Sequence, residues 1–177
     1  MKQHITKYRE SIDQVKRKIK YDLMDYFKSM DLYKKSNDFQ VLQIRDETDL
    51  DKLWYNSGFY LILTDYQVNG IDSCSLEYSN YKVIYRGHSY FTKKRVISHL
   101  ANDTYNSSHS GKGVHYGVCL KMDNSGRNGI NINQEPYNSW GWMVIVFKMK
   151  DSDKLIREQA EVAFDEVFGR PCRSMER

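Results

Sequence analysis

Tyr60, Tyr85, Arg95, His99 and Glu161 bring two phenols, a guanidinium, an imidazole and a carboxylate to one chain. These are group types that phosphodiester hydrolysis can use. That reaction needs an activated water, charge neutralisation at the phosphate and help for the departing oxygen. Tyr60 could accept the water's proton. A free phenol titrates near ~10, so a metal, Arg95 or protonated His88 would have to hold its phenolate. Tyr85 could share a hydrogen bond with the same water or orient Tyr60. Arg95 offers a fixed fork for phosphate oxygens. His99, four residues on, falls on the same face of a helix and can reach the same group or orient it. Glu161 offers a hard oxygen ligand for one Mg²⁺ or Mn²⁺, with water and phosphate completing the shell. A two-metal mechanism would need more acidic ligands than these.

Each residue also has a plainer reading. Tyr60 and Tyr85 lie in apolar runs and could be core tyrosines. Arg95 follows Lys93 and Lys94, which suit a solvated helix face or nonspecific contacts to a nucleic-acid backbone. His99 alone would be a satisfied, half-buried histidine. Glu161 shares a polar stripe with Glu158 and Asp165. His88, beside Tyr85, is a better catalytic candidate than His109 or His115.

The elements that must position these groups follow from periodicity. Apolar residues at Ile5, Tyr8, Ile12, Val15, Ile19, Leu23, Tyr26, Met30 and Tyr33 predict a long amphipathic helix, broken near Asp31. Its polar face is basic, with Lys16, Arg17, Lys18 and Lys20. It could pack on the domain, touch a nucleic-acid backbone, or dimerise. Phe39–Ile44 reads as a strand and Asp46–Trp54 as a short helix. Phe59–Leu63, apolar without alternation, reads as a buried strand. Residues 65–80 form a polar loop or hairpin around Asn69-Gly70. Lys82–Tyr85 is the next strand, antiparallel to the last. Thr92 can cap a helix reaching about Leu100, with Phe91 as the preceding apolar contact.

Residues 102–139 are rich in Asn, Ser and Gly and make a long insertion, interrupted by a short strand near Tyr116–Lys121. Trp142–Met149 is a further apolar strand. A final helix follows, capped by Ser152 or Asp151 and ended by Gly169 and Pro171. The fold class is α+β: a small, mostly antiparallel sheet flanked by helices, with an N-terminal helical and strand extension (1–56) packed on a core (57–177).

With those elements in place, the chain resembles the GIY-YIG nuclease family. Gly58-Phe59-Tyr60 resembles the first signature triplet and Tyr85-Arg86-Gly87 the second. Arg95 and His99 match the helix that follows, and Glu161, ten residues before Pro171, resembles the metal-binding glutamate. The resemblance spans roughly 57–174 and rests on the ordered set, since either triplet alone recurs by chance. Two departures stand out. The triplets are 24 residues apart, more than is usual, and Ser174 stands where the family has an asparagine. The resemblance implies a metal-dependent DNA endonuclease, close to the family's small restriction enzymes, with one Mg²⁺ or Mn²⁺ per site. A mobile-element or repair nuclease, and a nucleic-acid-binding module without catalysis, are the alternatives. Base readout would fall to residues 65–80 and 102–139, where Lys112 and Arg127 join Lys93 and Lys94 as DNA-binding candidates; 102–139 could equally be a solvated insertion.

Composition bounds this reading. At 177 residues and 21.0 kDa the chain suits one domain with a real core. A net charge of +4 is compatible with a polyanionic partner without requiring one. Three widely spaced cysteines argue against a disulfide framework and a thiolate zinc site, and suit a reducing cytoplasm. No run approaches a membrane span. The expected partner is double-stranded DNA and the expected state a monomer or homodimer.

Overall fold

The computed structural model describes residues 1–67, 74–101, 120–122 and 129–174. It is an α+β fold. A helix α1 (Lys2–Ser29) precedes strands β1 (Phe39–Ile44), β2 (Gly58–Thr64), β3 (Glu77–Tyr78) and β4 (Tyr81–Ser89). Helix α2 (Thr92–Leu100), strand β5 (Trp142–Lys148) and helix α3 (Lys154–Phe168) follow. The strands form one sheet in the order β1-β5-β2-β4-β3, with every neighbouring pair antiparallel. β1, from the segment preceding residue 57, is thus an edge of the same sheet. Among the described residues no helix is long and apolar enough to cross a membrane.

β2 lacks alternation because both sheet faces are covered, and all seven of its residues are buried. Phe59, Leu61 and Leu63 face α1 and α3, whereas Tyr60 and Ile62 face α2 and the residues Leu120, Ile130 and Ile132. Phe27 of α1 anchors the first layer. Its ring lies 5.7, 5.4 and 5.8 Å from those of Phe59, Phe147 and Phe164. The expected stripe on α1 passed over Phe27, and its first half is uncovered: Ile5, Tyr8, Ile12 and Val15 are all exposed. Only the second half of α1 packs, against α3. The second layer is closed where the Ile132 N–H donates to the Leu100 carbonyl at 2.8 Å and the Ile130 N–H to the Leu120 carbonyl at 2.7 Å.

β4 carries an irregularity that decides which way its side chains point. Leu63 pairs with Val83 but Ile62 pairs with Tyr85, so Ile84 is an extra residue. Such a bulge re-aims everything beyond it. Strict alternation from Val83 would turn Tyr85 towards α3; the bulge turns it to the α2 face, with Tyr60.

Three local expectations need correction. Asp46–Trp54 is a 3₁₀ turn over Glu47–Lys52, capped by the Asp46 carboxylate. Thr92 is the first residue of α2, not its cap; its hydroxyl donates to the Asn56 carbonyl at 2.8 Å, while Phe91 is exposed. The cap of α3 is Asp153, whose carboxylate accepts from the Ile156 N–H at 2.9 Å, rather than Ser152 or Asp151. Asn69-Gly70, most of the strand near Tyr116–Lys121, His109, His115, Lys112 and Arg127 lie outside the described residues.

Candidate active site

Both triplet glycines have steric reasons to be there. A Cβ at Gly87 would lie 2.7 Å from the Tyr60 hydroxyl, 2.9 Å from Tyr60 Cζ and 3.0 Å from Tyr85 Cε1. Tyr60 therefore reaches across β4 only because residue 87 has no side chain. A Cβ at Gly58 would meet the Phe147 carbonyl at 2.8 Å and Thr92 Oγ1 at 3.0 Å, where α2 closes on the sheet.

On the α2 face, Tyr60, Tyr85 and His99 form one cluster. The Tyr60 hydroxyl lies 2.9 Å from His99 Nε2 and is hydrogen-bonded to Tyr85. The Tyr85 ring lies 4.7 Å from the imidazole and 6.1 Å from the Tyr60 ring. Tyr60 and His99 are each 1% exposed, and Tyr85 is half-buried. Burial lowers the His99 pKa to about 3, helped by the Arg95 charge, so the imidazole is neutral. Among the described residues its buried Nδ1 has no hydrogen-bond partner. Burial first, then the Tyr85 charge, drive the Tyr60 phenol well above its ordinary value; the Arg95 charge acts the other way and is outweighed. The phenol is therefore protonated. His99 contacts Tyr60 directly, and Arg95, half-buried one turn earlier, bears on both through its charge.

The α3 face carries the acidic half. Glu161 is 6% exposed and its Oε2 lies 3.3 Å from Arg86 Nη1. Arg86 also holds Asp165 in a fork, with Nε to Oδ1 at 3.0 Å and Nη2 to Oδ2 at 2.7 Å. Arg170 reaches the same Asp165 oxygen at 3.1 Å. Burial works against the Arg86 charge, but the two carboxylates outweigh it and hold the guanidinium ionised. These side chains line an open cleft of about 670 Å³. Ser174 sits beside them, its hydroxyl accepting from the Arg86 backbone N–H at 3.0 Å.

The two halves belong to opposite faces of the sheet. Register pairs Tyr60 with Gly87 on one face, and Phe59 with His88 and Leu61 with Arg86 on the other. Among the described residues β3 covers β4 only at Tyr81 and Lys82, and residues 173–174 bond to it at Ile84 and Arg86, so no strand lies beside β4 at Gly87 on that side. The Glu161 charge still acts on Tyr60, raising its pKa further. His88 falls on the α3 face, with Arg86, and not on the Tyr60 and Tyr85 face where the expected phenolate-stabilising role would need it. Lys93 gives its ammonium to Asp51, at 3.0 Å from the carbonyl and 2.7 Å from Oδ1. Lys94 is exposed, 5.3 Å over the Phe91 ring.

Sequence reasoning had no role for Arg86 beyond its place in the triplet and named Asp165 only as a rival of Glu161. An arginine inside an otherwise apolar strand was the signal, since such a charge must find carboxylates. Arg157 was also missed. It is fully buried, donates from Nη1 to the Ser152 carbonyl and, at 3.1 Å, to the Ser152 hydroxyl, and lies 3.6 Å from the Tyr90 ring centroid.

Among the described residues no group of three or more His, Cys, Asp or Glu side chains is gathered to hold a metal ion. Glu161, on the wall of an open cleft, fits the single carboxylate of a Mg²⁺ that keeps most of its water, with Arg86 already on one oxygen. Comparison with family models, with curated proteins and with solved structures returned no match to this chain.

Proposed function

We propose that this chain is a metal-dependent DNA endonuclease of the restriction type, acting at the Gly87 edge of β4. The observation that carries the reading is the Tyr60–Tyr85–His99 cluster, brought together by a bulge and given room by a glycine. In the free protein the phenol is protonated and the imidazole neutral, so Tyr60 donates to Nε2 when the His99 proton is on Nδ1. That leaves a phenol lone pair for the hydrogen of an attacking water. Arg95 receives the phosphate. An anion bound there also offsets the cation that depresses His99, raising the imidazole's basicity as the water's proton must leave. Tyr85 fixes the Tyr60 hydroxyl from the other side. Glu161 would hold a Mg²⁺ or Mn²⁺, which supplies charge neutralisation at the phosphate.

The test is incubation of the purified chain with duplex DNA of many sequences and Mg²⁺, followed by sequencing of the ends. Ends at one recurring sequence are expected. Random nicking would sink the restriction reading, and intact DNA with both Mg²⁺ and Mn²⁺ the nuclease reading. Tyr60→Phe and Glu161→Gln should each lower turnover at least 100-fold while leaving DNA affinity within about threefold. One observation favours a catalytically inactive nucleic-acid-binding module instead: Arg86 already holds one of the two Glu161 oxygens and competes with an ion for the carboxylate. Undiminished cleavage by Glu161→Gln would show that the wrong carboxylate has been chosen.

A further inference from the structure

A second cleft, of about 740 Å³, opens at the β1 edge of the sheet, between the turn after α1 and the segment around Trp54. Its lining includes Lys34, Lys35, Lys52 and Lys148 but no aspartate or glutamate. Lys34 and Lys52 pair with Asp31 and Asp49, at 3.4 and 2.5 Å, both outside the lining. Among the described residues neither Lys35 nor Lys148 has a carboxylate within salt-bridge distance, and Lys148 Nζ lies 5.4 Å from the Trp54 ring centroid.

The wall is held in shape by β1. Gln40 Nε2 donates to the Lys52 carbonyl at 2.9 Å, and Gln40 Oε1 accepts from the Trp54 N–H at 2.9 Å. The Trp54 indole N–H donates to the Ser57 carbonyl at 3.2 Å, which fixes the ring. Lysines around a positioned aromatic side chain are how proteins track a nucleic-acid backbone, although exposed Asp38 and Asp51 adjoin the lining residues here.

Register connects this cleft to the candidate active site. Phe39 of β1 pairs with Phe147 of β5, Phe147 with Phe59 of β2, and Phe59 with His88 of β4. Cleft and site therefore share one end of the sheet, three strand spacings or about 14 Å apart. A strand rising about 3.4 Å per nucleotide covers that span in roughly four nucleotides.

We propose that the lysine cleft binds the phosphodiester backbone of the nucleic acid whose scissile linkage lies at the Gly87 edge, about four nucleotides away. The identity of the polyanion rests on the nuclease reading; the cleft's affinity for one does not.

The experiment measures two things separately on the full chain: binding of a fluorescent 20-mer duplex across a salt series, and cleavage with Mg²⁺. Lys35→Gln combined with Lys148→Gln removes one exposed and one half-buried cation, and its thermal midpoint is checked against the parent. The expected result is weaker binding at constant salt and a log–log salt slope shallower by about 2, with single-turnover cleavage at saturating protein unchanged. An unchanged slope in the variant, with the parent cleaving DNA, overturns the cleft and leaves the nuclease standing. Lysine-dependent binding by a parent that never cleaves overturns the nuclease and leaves the cleft. Absence of both overturns both. Loss of affinity for polyglutamate but not for DNA would assign the cleft to an acidic protein instead and overturn the proposal.

Discussion

His99 sets a limit on the pH range of this protein. Its folded pKa of about 3 lies below the ordinary 6.5, so between those values the unfolded chain binds a proton that the folded chain refuses. Its contribution to stability is whole above pH 6.5 and is lost as the pH falls towards 3. Urea unfolding at pH 7 and pH 5 should show a loss of about 1–2 kcal/mol, and His99→Gln should remove most of that slope. An equally steep acid limb in the variant would mean another group titrates. Gly87→Ala is the sharpest steric test: the new methyl meets the buried Tyr60 hydroxyl, so a cost of about 1–3 kcal/mol in the urea midpoint is expected. Tolerance of alanine without loss would mean that Tyr60 does not cross β4 as described. At this scale the sequence was partly legible. The residue types pointed to a cluster, and the i,i+4 spacing of Arg95 and His99 placed them on one helix face. It could not tell that His99 would bind Tyr60 itself, since that depends on packing between strands far apart along the chain.

Elements explain why Glu161 and His88 stand on the sheet face opposite Tyr60. Apolar runs such as Phe59–Leu63 are easily recognised, because a strand buried on both faces has no polar positions to confuse the pattern. The bulge at Ile84 leaves no such mark. It puts Tyr85 with Tyr60 and sends Arg86 and His88 to α3, so adjacency in sequence was a poor guide to His88. The cap of α2 was misread because the Asn56 carbonyl takes the Thr92 hydroxyl. The tie between β4 and α3 can be measured: Arg86→Met should cost about 3–5 kcal/mol, because Glu161 would lose the guanidinium that compensates its burial. A midpoint within experimental scatter of the parent would show the fork to be dispensable for folding.

For the whole molecule, the two sheet faces are separate cores, one aromatic and clasped by α1 and α3, the other closed by α2 with Leu120, Ile130 and Ile132. Phe27→Ala should therefore cost about 3–5 kcal/mol, whereas Ile5→Ser and Ile12→Ser should each stay within about 0.5 kcal/mol, as measured by urea unfolding. A large loss from either isoleucine would mean that the front of α1 is covered in solution. The periodicity of α1 was legible, but which turns of it found a partner was not, since an apolar stripe reads the same whether or not something lies against it.

The final described residues have a consequence of another kind. The Arg173 N–H donates to the Ile84 carbonyl at 2.9 Å, and the Ser174 hydroxyl takes the Arg86 N–H, so the tail caps β4 where β3 has stopped. Removal of residues 171–174 would strip that cover. The bared main-chain groups would then be open to a strand from another molecule, and gradual clumping on storage, rather than loss of fold, would be its first sign.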